Sequence, residues 1–133
     1  MPPGAEPEIG ELVWTILDAA EDKLGQRTEA FFVGDVLGIT DWFVVTSGGN
    51  PRQVKAIVEN IEEWLTIEHD LKPTRVEGLD TVGSRSDDNL TWVLMDYGVL
   101  VVHVFDHRAR DYYELERLWG DVPRVALAPS PGS

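Results

Sequence analysis

Between Thr91 and Gly120 the chain reads TWVLMDYGVLVVHVFDHRARDYYELERLWG, and this stretch most constrains the fold. Trp92-Val93-Leu94-Met95 and Val99 to Phe105 are apolar runs rich in β-branched residues, joined through Asp96-Tyr97-Gly98. Runs of this kind about a glycine turn form a hairpin. The first run is apolar on both faces, and so is the second up to His103. That predicts strands inside a sheet covered on both sides. Beyond them Tyr113, Leu115, Leu118 and Trp119 place too much large apolar surface in one segment for a solvent tail. The stretch predicts a buried central hairpin with an aromatic cap, onto which the upstream chain packs.

A chain of 133 residues forms one domain and can bury a core without staples. The absence of cysteine rules out a disulfide scaffold, a thiol nucleophile and a Cys-ligated zinc site. No apolar run approaches the roughly 18 residues of a membrane span, and the Pro-rich, acidic start is unlike a signal peptide. The expected location is cytoplasmic. A net charge of -13 repels phosphate backbones, so little direct nucleic-acid contact is expected and a basic partner is favoured.

Residues 1–8 hold three prolines and read as a disordered lead-in. The domain spans 9–122, and 123–133 reads as a flexible tail. Ile9, Leu12, Val13, Ile16, Leu17, Ala20 and Leu24 have helical spacing, with Gly25 as the stop. Thr28–Asp35 and Asp41–Ser47 read as strands. Asn50 caps a second helix with Pro51 at its first position, and the helix fades near His69. Thr74–Glu77 is an edge strand, 79–89 a polar loop, and Ala109–Leu118 a short helix. The order predicts an α/β (α+β) fold, a mixed sheet of about five strands flanked by helices.

Gly83-Ser84-Arg85-Ser86-Asp87-Asp88 invites a nucleotidyltransferase reading, since those enzymes pair a Gly-Ser turn with metal-binding carboxylates. Asp87 and Asp88 are adjacent, however, and on a strand they would face opposite ways. On one strand His103 and His107 would share a face but lie ~13 Å apart, too far for one ion, and they could approach only if the chain bends into a helix between them. Asp35, Asp41 and Asp96 flank strands, where carboxylates commonly accept turn N–H groups. No metal site or cofactor is expected. The aromatics Trp92, Tyr97, Phe105, Tyr112, Tyr113 and Trp119, with Arg108 and Arg110, have the composition of a protein–protein contact.

ITDWFVVTSG (Ile39–Gly48), RQVKAIVENIEE (Arg52–Glu63), VEG (Val76–Gly78), WVLMDYG (Trp92–Gly98), VVHVF (Val101–Phe105) and YYELERLWGD (Tyr112–Asp121) together resemble the ribosomal silencing factor family, also called Iojap-like proteins. The resemblance covers nearly all of Ile9 to Val125. It implies a nucleotidyltransferase-like topology without the catalytic acids. It also implies a non-enzymatic translation repressor that docks on large-subunit ribosomal protein fourteen (uL14). By the same resemblance, occupying that site is expected to block joining of the small subunit when nutrients are scarce. The family's hallmark residues fall here on Asp41, Ser47, Arg52, Gln53, Trp92, Asp96, Tyr97, Gly98, His103, Phe105, Tyr113, Leu115, Glu116, Leu118 and Trp119. With Arg108 added, the partner-binding set expected is Trp92, Asp96, Tyr97, His103, Phe105, Arg108, Tyr113, Glu116, Leu118 and Trp119, with Trp92 as anchor. Val99 stands where the family usually has an acid, and the segment Leu79–Thr91 is longer than usual. A homodimer competing for the same surface is a further expected partner. The alternative is a nucleotidyltransferase-like enzyme holding metals on Asp35, Asp87, Asp88 and Asp96.

Overall fold

The computed structural model describes residues 7–34, 40–79, 90–113 and 124–126. Among them are helices α1 (Pro7–Asp22), α2 (Pro51–His69) and α3 (His107–Tyr113). The strands are β1 (Gln26–Phe32), β2 (Trp42–Gly48), β3 (Arg75–Glu77), β4 (Trp92–Asp96), β5 (Leu100–Asp106) and β6 (Arg124–Ala126). They form one sheet in the order β3-β4-β5-β2-β1-β6. Among the described residues only the β2–β5 pair is parallel, so the sheet is mixed as expected. The additional strand is β6. It lies within the stretch expected to be a flexible tail and pairs antiparallel with Glu29–Phe31, covering what would otherwise be an open edge of β1. Residues 1–6 of the expected lead-in and the loop 80–89, with its Gly83–Asp88 segment, lie outside the described residues.

The first helix begins earlier than its apolar stripe, at Pro7, where a missing N–H costs nothing. It also ends earlier than the stripe suggests. Leu24 takes a left-handed conformation (φ 62°) and is 74% exposed, so it does not extend the buried face. The chain leaves through Gly25, whose N–H donates to the Ala20 carbonyl at 2.8 Å. A Cβ on Gly25 would come within 2.6 Å of the Thr46 hydroxyl on β2, so only glycine lets the chain turn this closely against the sheet. The second helix matches its sequence signals. The Asn50 side chain accepts from the Gln53 N–H, Pro51 follows, and Asp70 in the left-handed region ends the helix.

Both long helices pack on one face of the sheet. Val13, Ile16 and Leu17 of α1 and Val54, Ile57, Ile61 and Leu65 of α2 meet Val93, Met95, Leu100, Val102 and Val104 of the central hairpin. Each such aliphatic side chain, fully buried, contributes about 1.5–3 kcal/mol, so this layer dominates the stability of the domain. Asn60 adds a polar tie between the helices, donating to the Ala19 carbonyl at 2.8 Å and to the Asp22 carboxylate at 3.1 Å.

The second face departs from the expectation of a hairpin buried on both sides. There Ala109 of α3 packs with Phe31, Val33, Val45 and Phe105, while Phe43, Leu90 and Trp92 are only partly covered. β4 alternates, with Val93 and Met95 buried and Trp92, Leu94 and Asp96 half-buried. The reason is architectural: both long helices went to the other side, leaving the seven-residue α3 on this one. β5 does match the expectation, for every residue from Leu100 to Phe105 is buried.

Gln53 joins the elements that set this layering. Its Oε1 accepts from the Gly49 N–H at 2.7 Å, and its Nε2 donates to the carbonyls of Lys23 (3.2 Å) and Leu24 (2.9 Å). One side chain thereby holds the end of α1 against the start of α2. Gln53→Ala is expected to destabilise the fold by about 1–2 kcal/mol, since three bonds go but the site is wet enough for partial replacement. Urea unfolding measures it; a midpoint equal to that of the parent would show that water replaces the clamp fully.

Candidate functional site

Strand alternation sorts the hairpin side chains onto two faces. On β5, Leu100, Val102 and Val104 join the helix-side core, so Val101, His103 and Phe105 face the other way. The register sets Trp92 beside Phe105 and Leu94 beside His103 on one flank, and Phe43 beside Val101 and Val45 beside His103 on the other. The result is a continuous aromatic run across three strands and α3. Phe43 meets His103 edge-on with centroids 4.6 Å apart. Trp92 lies 5.8 Å from His103, 5.0 Å from Phe105 and 4.7 Å from Tyr113. Tyr112 stands at 89° to Tyr113, 5.1 Å away. Exposure is greatest at the α3 end of this run. Phe105 is fully buried, Trp92 and Phe43 are half-buried, and Tyr113 and Tyr112 are 42% and 73% exposed.

One polar bond orients the centre. The Trp92 indole N–H donates to His103 Nδ1 at 3.0 Å. An acceptor at Nδ1 places the ring proton on Nε2, which is buried with no hydrogen-bond partner among the described residues. Burial pushes the His103 imidazole down to about 4, so it is neutral at pH 7. The aromatic run is therefore uncharged at its middle and fixed in geometry. Its flank is polar: Asp96 accepts from the Gly98 N–H at 2.8 Å and lies 3.7 Å from the Arg75 guanidinium. At the α3 end Asp106 accepts from the Ala109 N–H at 2.6 Å, which starts that helix two residues before Ala109, where the sequence placed its beginning.

This face can present a rigid apolar patch with a polar rim to a protein surface. Metal chemistry has less support. Nδ1 of His103 is already occupied, Asp96 closes a turn, and among the described residues no cluster of three or more His, Cys, Asp or Glu could hold an ion. Asp35, Asp87 and Asp88 lie outside the described residues.

A family described as ribosomal silencing factor during starvation matches residues 6–132. The chain belongs to the ribosomal silencing factor family. The silencing factor RsfS of Halalkalibacterium halodurans is 34% identical over 117 residues, covering 88% of this chain and 92% of that protein. A crystal structure of a protein from Chromobacterium violaceum aligns over 94% of this chain and 98% of its own, with a TM-score of 0.74 and 28% identity. A mouse protein named mitochondrial assembly of ribosomal large subunit protein 1 is 33% identical over 82 residues, 60% of this chain but 32% of that protein.

The positions marked from resemblance to the silencing factors fall into distinct places in this structure. Trp92, His103, Phe105 and Tyr113 come together in the aromatic run, and Asp96 stands at its flank. Arg108 is exposed on α3. Tyr97 goes to the opposite face, buried in the helix-side core; burial there, with Glu62 adding to it, raises its phenol above the usual range. As the chain stands, Tyr97 and Phe105 offer no surface to a partner. Glu116, Leu118 and Trp119 lie outside the described residues. Gln53 has a structural role, and so does Ser47, whose hydroxyl donates to the Gln26 carbonyl at 2.8 Å. Two half-buried residues of this face, Phe43 and Leu94, went unmarked. Their position was readable, since Phe43 alternates with buried Trp42 and Val44, and Leu94 with Val93 and Met95.

Proposed function

We propose that this chain binds the large ribosomal subunit through ribosomal protein uL14 and, by occupying that patch, blocks association with the small subunit. Action is steric and non-enzymatic, and takes place in the cytoplasm. The observation that carries the reading is the Trp92-centred aromatic run on the sheet face that the long helices leave open. Aromatic anchors in a partly desolvated setting are where binding energy concentrates. Family membership supports a ribosomal partner, and the name of the mouse relative points to the large subunit. The net charge of -13 suits a basic ribosomal protein and opposes straying onto RNA. A second copy of the chain could cover the same face, so a homodimer would compete with the ribosome.

Purified large subunits are incubated with the protein before small subunits are added, and the particles are resolved on a sucrose gradient. Joined ribosomes should fall as the protein approaches saturation. Full joining at saturation overturns the proposal. Trp92→Ala is expected to weaken co-sedimentation with large subunits more than tenfold, about 1.4 kcal/mol or more. Because that change also removes the partner of His103, Tyr112→Ala serves beside it. Tyr112 is 73% exposed, so its loss disturbs only the surface. If both variants fold and bind as the parent does, the contact lies elsewhere.

A further inference from the structure

The helix layer carries a feature that the aromatic face does not use. Along α1, Glu11, Trp14 and Asp18 are spaced three and four residues apart and so form one outward stripe. Trp14 is not part of the buried stripe and is 49% exposed. One turn before it, Gly10 supplies no side chain, and a Cβ there would meet nothing within 4 Å. The neighbouring wall is the end of α2, with Glu68 and His69, held to α1 by a 2.9 Å hydrogen bond between the Thr15 hydroxyl and His69 Nε2. Between the helices lies an open groove of about 600 Å³. Its lining includes Trp14 together with the acids Glu11, Asp18 and Glu68. All three acids are exposed, and none takes part in an ion pair among the described residues.

We propose that this groove seats a lysine or arginine side chain from an extended segment of a basic protein. An indole face attracts a cation through its quadrupole. The three lining carboxylates complement the charge, and the apolar surface of Trp14 takes the methylene stem of a long basic side chain. The charge pattern selects this occupant, because an apolar or acidic segment would leave three carboxylates facing an uncompensated surface. The groove lies on the helix side of the sheet, away from Trp92. A chain docked by its aromatic face would keep the groove free for a second, basic segment. This contact is separate from the one proposed for the aromatic face and stands without it.

The probe is an end-capped octapeptide of alternating arginine and alanine, with a glutamate–alanine peptide as control. The full-length ¹⁵N-labelled protein is titrated at low salt, and the Trp14 indole signal is assigned by its absence from Trp14→Phe. The arginine peptide should shift the Trp14 indole and the amides of Glu11, Asp18 and His69, leaving the Trp92 indole in place. Trp14→Ala should weaken binding at least fivefold, and Glu11→Gln with Asp18→Asn about tenfold. These residues are surface-exposed, so the variants keep the parent fold, and matching spectra elsewhere verify it. A Trp92 indole signal that stays in place through the titration separates this site from the ribosomal reading. Shifts spread evenly over the acidic surface, shifts centred on Trp92, or variants that bind as tightly as the parent would each overturn the proposal.

Discussion

Replacing Gly78 with alanine is expected to cost about 3 kcal/mol or more and to disturb the aromatic face from behind. Gly78 follows β3 and adopts φ +89°, which L residues rarely take. A Cβ there would lie 2.0 Å from the Trp92 carbonyl oxygen and 3.0 Å from its carbon. Those are backbone atoms, so no rotamer change relieves the overlap. Either β3 detaches from β4 or the start of β4 moves, and Trp92 is its first residue. The turn glycine offers an internal control. Gly98 has φ +85°, nearly the same conformation, yet a Cβ on it would meet nothing within 4 Å. Gly98→Ala therefore isolates the conformational cost, about 1–2 kcal/mol. The steric term is the difference between the two variants. Thermal unfolding should place Gly78→Ala roughly 10 °C below the parent, with Gly98→Ala well above it. Equal losses would mean that the approach to Trp92 is looser than the geometry gives. Co-sedimentation with large subunits extends the test, because a shifted Trp92 weakens binding even where the chain stays folded.

The two glycines also bear on how much of the molecule could be read from its residues. Local signals were legible. Asn50-Pro51 and the apolar stripe behind it placed α2, and Asp96-Tyr97-Gly98 placed the hairpin turn. Non-local ones were not. The parallel pairing of β2 with β5 joins Trp42 to Leu100 across an intervening helix and two strands, and no short-range pattern encodes such a partner. The β6 pairing was hidden because Arg124–Ala126 is short and lies among prolines. Which face each aromatic takes is a matter of parity, which the sequence did hold. Trp92, Leu94 and Asp96 share one side of β4, so Tyr97, an odd step further, belongs with Val93 and Met95 in the core. Resemblance to a family marked Tyr97 and Trp92 alike, since residues essential to packing and residues essential to binding carry the same mark. Separating them needed the sheet and the knowledge of which side the helices cover.

His103 gives the other large effect. Its imidazole sits between Phe43 and Trp92, and burial holds its folded-state value at about 4, against about 6.5 unfolded. Between those values the unfolded chain binds a proton that the folded chain refuses, so stability rises with pH across the window. The contribution is fully present above about pH 6.5, falls by roughly 2 kcal/mol at pH 5, and by about 3 kcal/mol at pH 4. Protonation would also set an N–H against the Trp92 N–H that now donates to Nδ1, so the indole must turn when the ring charges. His103→Gln removes the titration and keeps an acceptor. Urea unfolding of both proteins at pH 7 and pH 5, above the pI of 4.4, measures the difference directly. The parent should lose about 2 kcal/mol more than the variant over that interval. A gap between the two proteins that does not change with pH would show that the imidazole meets solvent. The Trp92 orientation would then need another cause. Strand parity puts Trp92 on this face, and the bond to His103 Nδ1 ties the indole there, where it also meets Phe105 and Tyr113.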